Sequence, residues 1–279
     1  MASNYKKGWI LVSSDVVSSP DVGLLQVREF LVAKGDLLKI VGEGVRKAFD
    51  EVIDGPRTGR YCLDQLEKTE KTYIGTKVEI VLRAELGLER GLDLDNSIAG
   101  HEVDTKFTVG KTWTIPIEAV GKLCLLVYGW DDKSECGLGL LRITDDVLNP
   151  GKNRDGKRGV SAAGKEKIDW LAKGPMPKNF MLDLPEELRN LIMSAPTGRG
   201  AIRALFENVT GKIIPRKVVE QVARQKDPMK RAREVKAILA AEGLRVLCAT
   251  YKEDREEFVR NGFTAFQRDD WLSIRVTKP

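Results

Sequence analysis

Leu92-Asp93-Leu94-Asp95-Asn96-Ser97-Ile98-Ala99-Gly100-His101-Glu102-Val103-Asp104-Thr105-Lys106-Phe107 is the stretch that decides how this chain folds. Asp95 stands nine positions before Asp104, and Thr105 alone separates Asp104 from Lys106. Around that triplet the chain reads as a strand, with Val103 and Phe107 as its apolar members. Side chains alternate faces along a strand. Glu102, Asp104 and Lys106 are therefore expected on one face, and His101, Val103, Thr105 and Phe107 on the other. A carboxylate and an ammonium on one strand face reach a common ligand. The plain reading is a solvated, ion-paired strand. The chemical reading is metal-assisted phosphodiester hydrolysis. A hard cation such as Mg2+ takes oxygen ligands and keeps several waters. Asp95 and Asp104 each offer a carboxylate oxygen, and the Thr105 backbone carbonyl offers a third ligand. Lys106 then orients or deprotonates the attacking water, or stabilises the charge that builds in the transition state.

The segments around this stretch point to an α/β sandwich. Ser19-Pro20-Asp21 starts a helix that runs to Gly35, and a second runs from Asp36 to Ile53 with Val41, Val45, Ala48, Phe49 and Val52 on one side. Gly42-x-Gly44 within it lacks a third glycine and a preceding strand, so a nucleotide-binding loop is rejected. A third helix is expected over 76–86, with Glu79 beside its apolar stripe. Strands follow at 92–95, 101–108, 112–118, 122–130 and 138–144. The 122–130 run is almost continuously apolar, as in a strand covered on both faces. Asn149–Gly159 is a glycine-rich loop with four cations. Arginine and lysine read guanine, asparagine reads adenine and aspartate accepts from cytosine. From composition alone the segment is as readily a mobile surface loop as a DNA reader, and Asn153, Arg154, Asp155, Lys157 and Arg158 are the candidate DNA contacts there. A helix over 163–172 should then give way to a linker at Lys173-Gly174-Pro175-Met176-Pro177. That places a boundary between units 1–173 and 174–279.

The C-terminal part reads as a winged helix-turn-helix, with a helical protein-interaction domain as the other reading: helices from Gly198, Pro215 and Asp227-Pro228, then strands at 244–250 and 271–276 with a charged excursion between them. Arg216, Lys217, Lys230, Arg231 and Arg233 are its candidate DNA contacts. Residues 171–279 carry 21 lysines and arginines against 14 carboxylates, whereas residues 1–170 carry 25 against 27. An acid-bearing half joined to a basic half fits a metal site beside a nucleic-acid grip.

Composition narrows the rest. A single histidine, His101, removes chemistry that needs several imidazoles. Cys62, Cys124, Cys136 and Cys248 form no CxxC pair and read as reduced thiols of a cytoplasmic protein. No export signal is visible around the short apolar patch Trp9–Val12, and no run is long enough to span a membrane.

Glu79, Asp95 and the Asp104-Thr105-Lys106 triplet, in spacing and residue type, resemble the active site of the NaeI-type restriction endonucleases, a branch of the PD-(D/E)xK nuclease superfamily. Leu94 stands where that superfamily usually has a proline before its first acid. The resemblance is sharpest between Glu79 and Lys106 and looser after Pro175. It implies a restriction-endonuclease-like mixed sheet followed by a DNA-binding domain of the catabolite-activator type. It implies Mg2+-dependent cleavage of both strands at a short, GC-rich palindrome by a homodimer. Glu79 would assist through a metal-bound water. It also implies type IIE behaviour, in which the second domain binds an activator copy of the site. Two other readings stay open here: a DNA-binding regulator with a decayed nuclease domain, and a structure-directed nuclease.

Overall fold

The structure is a computed structural model that describes residues 20–276. The Trp9–Val12 patch and the expected Ser19 cap lie outside them. Asp21 starts helix α1 (Val22–Val32), its carboxylate accepting the Leu24 N–H at 2.9 Å. Asp36 does the same for Lys39 at the start of α2 (Leu37–Ile53). A single turn, α3 (Gly55–Thr58), leads towards α4 (Lys68–Glu85). The last begins well before the apolar pattern of 76–86. Glu70 accepts the Glu67 N–H at 2.9 Å and closes a capping box that stabilises polar first turns. Gly44 owes its place to this pair of helices, since a Cβ there would lie 2.7 Å from the Leu82 side chain on α4.

The strands are β1 (Glu89–Arg90), β2 (Asn96–Ile98), β3 (His101–Thr108), β4 (Thr114–Ile115), β5 (Leu123–Trp130), β6 (Glu135–Arg142), β7 (Leu148–Lys152) and β8 (Arg158–Val160). Helix α5 (Ala162–Glu166) and strand β9 (Asp169–Pro175) complete this unit. Six of the strands form one sheet in the order β1-β2-β3-β5-β6-β9. Within it β3 and β5 run parallel and the other neighbours antiparallel. Helices α1, α2 and α4 cover one face through Leu31, Val45, Phe49, Val78, Leu82, Val103, Leu125 and Val127. The other face buries Trp113, Cys124, Leu126, Tyr128 and Leu141 against a small sheet of order β4-β8-β7. The apolar run of β5 is thus explained, because alternate residues enter two separate cores. This is the helix-flanked mixed sheet that was expected.

Three local expectations are corrected. Residues 92–95 form a loop rather than a strand, for a reason given below. The strand expected over 112–118 stops at Ile115, because Pro116 brings no N–H and a 3-10 turn follows. The helix expected over 163–172 stops at Glu166, and Lys173-Gly174-Pro175, read as linker, end a strand paired with β6. Burial decides the second half of that segment: Trp170 packs edge-on against Tyr128 and Ala172 enters the first core.

The boundary expected at 173/174 therefore falls inside β9. Met176 still belongs to the first core, and Met181 belongs to the second. The second unit runs α6 (Glu186–Met193), α7 (Gly198–Asn208), β10 (Ile213–Ile214), α8 (Arg216–Ala223), α9 (Pro228–Ala241), β11 (Leu244–Cys248), α10 (Lys252–Arg260) and β12 (Trp271–Arg275). Its helices close over Ile202, Leu205, Phe206, Val218, Val222, Val235, Leu239 and Trp271. Its three strands pair antiparallel in the order β10-β12-β11. The charged excursion is α10, held because Phe258 buries with Leu247 and Leu272. Among the described residues, no helix is long and apolar enough to cross a membrane.

The two units share a polar seam. Lys217 of α8 pairs with Asp50 of α2, and the Gln221 amide donates to the Arg60 carbonyl. The Asn179 amide donates to the Tyr61 carbonyl at 2.8 Å and to Asp131 at 3.1 Å. Arg46, only 4% exposed, bridges Asp50 and Asp131. A cleft of about 380 Å³ runs along this seam, lined by Tyr61, Lys178, Asp183, Lys212 and Lys217 among others.

Candidate active site

Asp104 lies mid-strand on β3, directly opposite Cys124 of the parallel strand β5. It is 4% exposed. Burial pushes its carboxyl up to about 6, against the pull of the Lys106 ammonium, and the neighbouring Asp95 adds to the rise. Lys106, next on the same face, donates from Nζ to Asp104 Oδ1 at 2.7 Å and to the Thr105 carbonyl at 3.2 Å. The same nitrogen lies 3.8 Å from Asp95 Oδ2. Burial would lower the lysine, but the hydrogen bond and charge of Asp104, with help from Asp95, hold it above the ordinary lysine value. Lys106 is thus a fixed ammonium in this state, a donor and a positive charge rather than a base.

Asp95 reaches the pair from the loop between β1 and β2. Its Oδ2 accepts the Thr105 N–H at 2.7 Å. The loop is shaped by Glu102, on the same face of β3 as Asp104. The Glu102 carboxylate accepts the N–H groups of Leu92, Asp93 and Leu94 at 3.0, 3.1 and 2.8 Å. Those backbone donors hold its carboxyl below the usual glutamate value. Because these amides turn towards one carboxylate, they cannot pair with a neighbouring strand, and residues 92–95 leave the sheet. On β5 the Cys124 thiol stands 3.6 Å from Asp104 Oδ2, and burial raises it well above the ordinary thiol value.

Glu79 takes a different position. On α4 it pairs with Arg83 at 2.5 Å. Arg83 donates to the Asn96 side-chain oxygen at 3.0 Å, and the Asn96 amide donates to the Thr105 hydroxyl at 2.9 Å. Glu79 is therefore joined to the strand through Arg83, Asn96 and Thr105, on the helix-covered face. Among the described residues, no three His, Cys, Asp or Glu side chains lie close enough to hold a metal ion together. Asp95, Asp104 and the Thr105 carbonyl do converge, and Lys106 occupies the point where their oxygens meet. His101 faces away, as alternation requires, and its ring Nε2 meets the Gln26 side chain at 2.7 Å.

Sequence reasoning missed Arg83, Asn96, Glu102 and Cys124. Alternation does put Glu102 on the face of Asp104 and Lys106, which was its available signal. The other three are placed only by tertiary pairing.

The candidate DNA contacts divide in the same way. Residues 153–157 form the turn between β7 and β8. The Asn153 side chain closes that turn by accepting the N–H groups of Asp155 and Lys157 at 3.0 and 2.8 Å. Arg158 is turned inward onto Asp145 and the Asn149 carbonyl. Arg154, Asp155 and Lys157 are exposed. In the second unit Arg216 pairs with Glu220, Arg231 with Glu234 and Lys217 with Asp50. Lys230 and Arg233 are exposed and carry no ion pair among the described residues. The four cysteines are free.

Residues 32–279 match the family model described as restriction endonuclease NaeI. The type II restriction enzyme NaeI of Lentzea aerocolonigenes is 36% identical over 245 residues, covering 82% of this chain and 76% of that protein. A shorter stretch of 138 residues, 47% of this chain, is 30% identical to 69% of an adenine phosphoribosyltransferase of Ruegeria pomeroyi. The model match takes in both units and every member of the Asp95–Asp104–Lys106 cluster. This chain belongs to the NaeI family of type II restriction endonucleases.

Proposed function

We propose that this type II site-specific deoxyribonuclease cuts both strands of duplex DNA at a short, GC-rich palindrome, with Mg2+ held by Asp95, Asp104 and the Thr105 carbonyl. The supporting observation is the convergence of those three groups on one cationic nitrogen, at 2.7 to 3.8 Å. A point that collects carboxylate and carbonyl oxygens around a positive charge has the donor set a hard divalent cation requires. When bound, such a cation lowers the pKa of a ligated water and neutralises charge on the leaving oxygen. The chain's own part is electrostatic and geometric. Asp95 and Asp104 are fixed by the Thr105 N–H and by Lys106, so the site is formed in advance. Lys106, moved aside from the carboxylates, is an ammonium positioned to orient the attacking water or steady the charge of the pentacoordinate phosphorus. Glu79 acts at longer range, through Arg83 and Asn96, or through a water.

Several features support the finer reading. Exposed Arg154 and Lys157 on the β7–β8 turn suit guanine O6 and N7, with Asp155 available to cytosine. Asn153 and Arg158 brace that turn. The order α7-β10-α8-α9-β11-β12, with β12 central, supports reading this unit as a winged helix-turn-helix with α10 in place of the wing tip. There α9 is the recognition helix, with Lys230, Arg231 and Arg233 in its first turns and Arg216 and Lys217 on the preceding helix. A palindrome calls for a two-fold homodimer, one subunit to each strand. A second copy of the site on the C-terminal unit would make the enzyme type IIE.

Digestion of a sequenced plasmid tests this, with Mg2+ and with chelator. Discrete fragments in Mg2+ and none in chelator are expected, and Asp104→Ala should bind DNA without cutting. Unabated cutting by that variant would refute the assignment. Binding without cutting by the unaltered chain would favour a DNA-binding regulator.

A further inference from the structure

One carboxylate beside the acid pair holds three backbone N–H groups, and all three belong to the loop that delivers Asp95. We infer that Glu102 is a positioning residue: it sets the separation of Asp95 from Asp104 and thereby the affinity of the site for a divalent cation. This rests on the reading of Asp95 and Asp104 as the metal-holding acids.

Beyond the Thr105 N–H that Asp95 itself accepts at 2.7 Å, the loop has little else to define it. Leu92 at its tip is 97% exposed and contributes no packing. Asp93 is exposed as well. Within the loop, the Gly91 N–H reaches the Asp95 carbonyl only at 3.4 Å. A second, independent feature shows how tightly the chain wraps the carboxylate. A Cβ on Gly91 would fall onto the Leu94 carbonyl oxygen and within 2.7 Å of Glu102 Oε2. Asp95 follows directly on Leu94, whose N–H makes the shortest of the three bonds at 2.8 Å. Asp104 sits two positions beyond Glu102 on the same strand face. One strand therefore carries the second acid on its own backbone and the first acid through the Glu102 clamp. A group that orients ligands in this way changes metal affinity by about 10- to 100-fold when removed.

The test uses full-length Glu102→Ala and Glu102→Gln beside Asp95→Ala and Asp104→Ala. Mn2+ binding is measured by isothermal calorimetry without DNA, and cleavage is followed against Mg2+ concentration. Glu102→Ala should weaken Mn2+ binding roughly 10-fold or more. It should raise the half-saturating Mg2+ by a similar factor, with a smaller loss of rate at saturation. Glu102→Gln keeps one acceptor oxygen and should fall between, while circular dichroism reports its fold. If both Glu102 variants bind Mn2+ like the unaltered protein while the Asp variants do not, the clamp is merely structural and this inference fails alone. If the Asp variants also bind normally, the acid-pair reading fails first. Should Glu102→Ala not fold, Glu102→Gln decides: unchanged half-saturation overturns the inference and a raised value supports it.

Discussion

Replacing Asp104 by asparagine should stabilise the metal-free protein, and by more at pH 8 than at pH 4.5. The folded carboxyl is pushed up to about 6 from an ordinary 3.8. Between those values the folded chain retains a proton that the unfolded chain has released. Stability is therefore lost as pH rises through that window. Each pH unit corresponds to about 1.4 kcal/mol, which makes ionised Asp104 unfavourable by about 3 kcal/mol at pH 8 and about 1 kcal/mol at pH 4.5. Asparagine is the neutral isostere and keeps an oxygen for Lys106. Part of the gain is offset, because the remaining carboxylate of Lys106 is Asp95 at 3.8 Å. Urea unfolding in chelator at both pH values is the assay. A gain of about 2–3 kcal/mol at pH 8 corresponds to roughly 4–12 °C in melting temperature for a chain of this size. Mg2+ should stabilise the unaltered protein further and the variant hardly at all. A variant no more stable at pH 8, or one with the same difference at both pH values, would refute the argument from burial.

Other outcomes follow from the same geometry. Asp95→Ala should leave DNA binding in Ca2+ intact while cleavage in Mg2+ drops below detection, as gel shift and digestion read side by side. Lys106→Met should reduce the single-turnover rate by about 10²–10³-fold, the loss typical of one oriented donor in a transition state. Lys230→Ala and Arg233→Ala should each flatten the plot of log affinity against log salt by about one, if each contacts a phosphate. Arg46→Ala should destabilise by about 3–5 kcal/mol in thermal unfolding, since Asp131 is left buried without its cationic partner, keeping only the Asn179 amide.

Much of the fold was legible because the decisive segments are short-range. β3 was recovered from its alternating pattern around Val103 and Phe107, and α2 from the stripe Val41–Val45–Phe49–Val52. The covered strand β5 announced itself by an apolar run that only two cores can absorb. Where reading failed, a tertiary contact outweighed the local pattern. Trp170 and Ala172 made a strand of a segment that looked helical, because their partners Tyr128 and the first core come from elsewhere. The loop at 92–95 looked like a strand because nothing in Leu-Asp-Leu-Asp betrays that its amides turn to Glu102. At the site, spacing together with the family resemblance singled out Asp95, Asp104 and Lys106, and the structure places the Lys106 nitrogen 2.7 Å from Asp104 and 3.8 Å from Asp95. Glu79 was not so simple, since its route to the strand passes through Arg83 and Asn96. Likewise Asn153 and Arg158 were singled out by residue type, and the structure engages the Asn153 side-chain oxygen and the Arg158 guanidinium in the turn that carries their neighbours.

The seam between the units bears on any attempt to trade specificities between relatives. Lys217 and Gln221 of one unit are matched to Asp50 and Arg60 of the other, and Asn179 is shared between Tyr61 and Asp131. A chimera that grafts a foreign C-terminal unit at a convenient proline would strand Asp131 and Asp50 beside the wrong side chains. Grafts that also transplant residues 46–61 and the 177–180 connection carry the matching half of the joint with them. Such hybrids are the ones expected to stay folded while changing which DNA they hold.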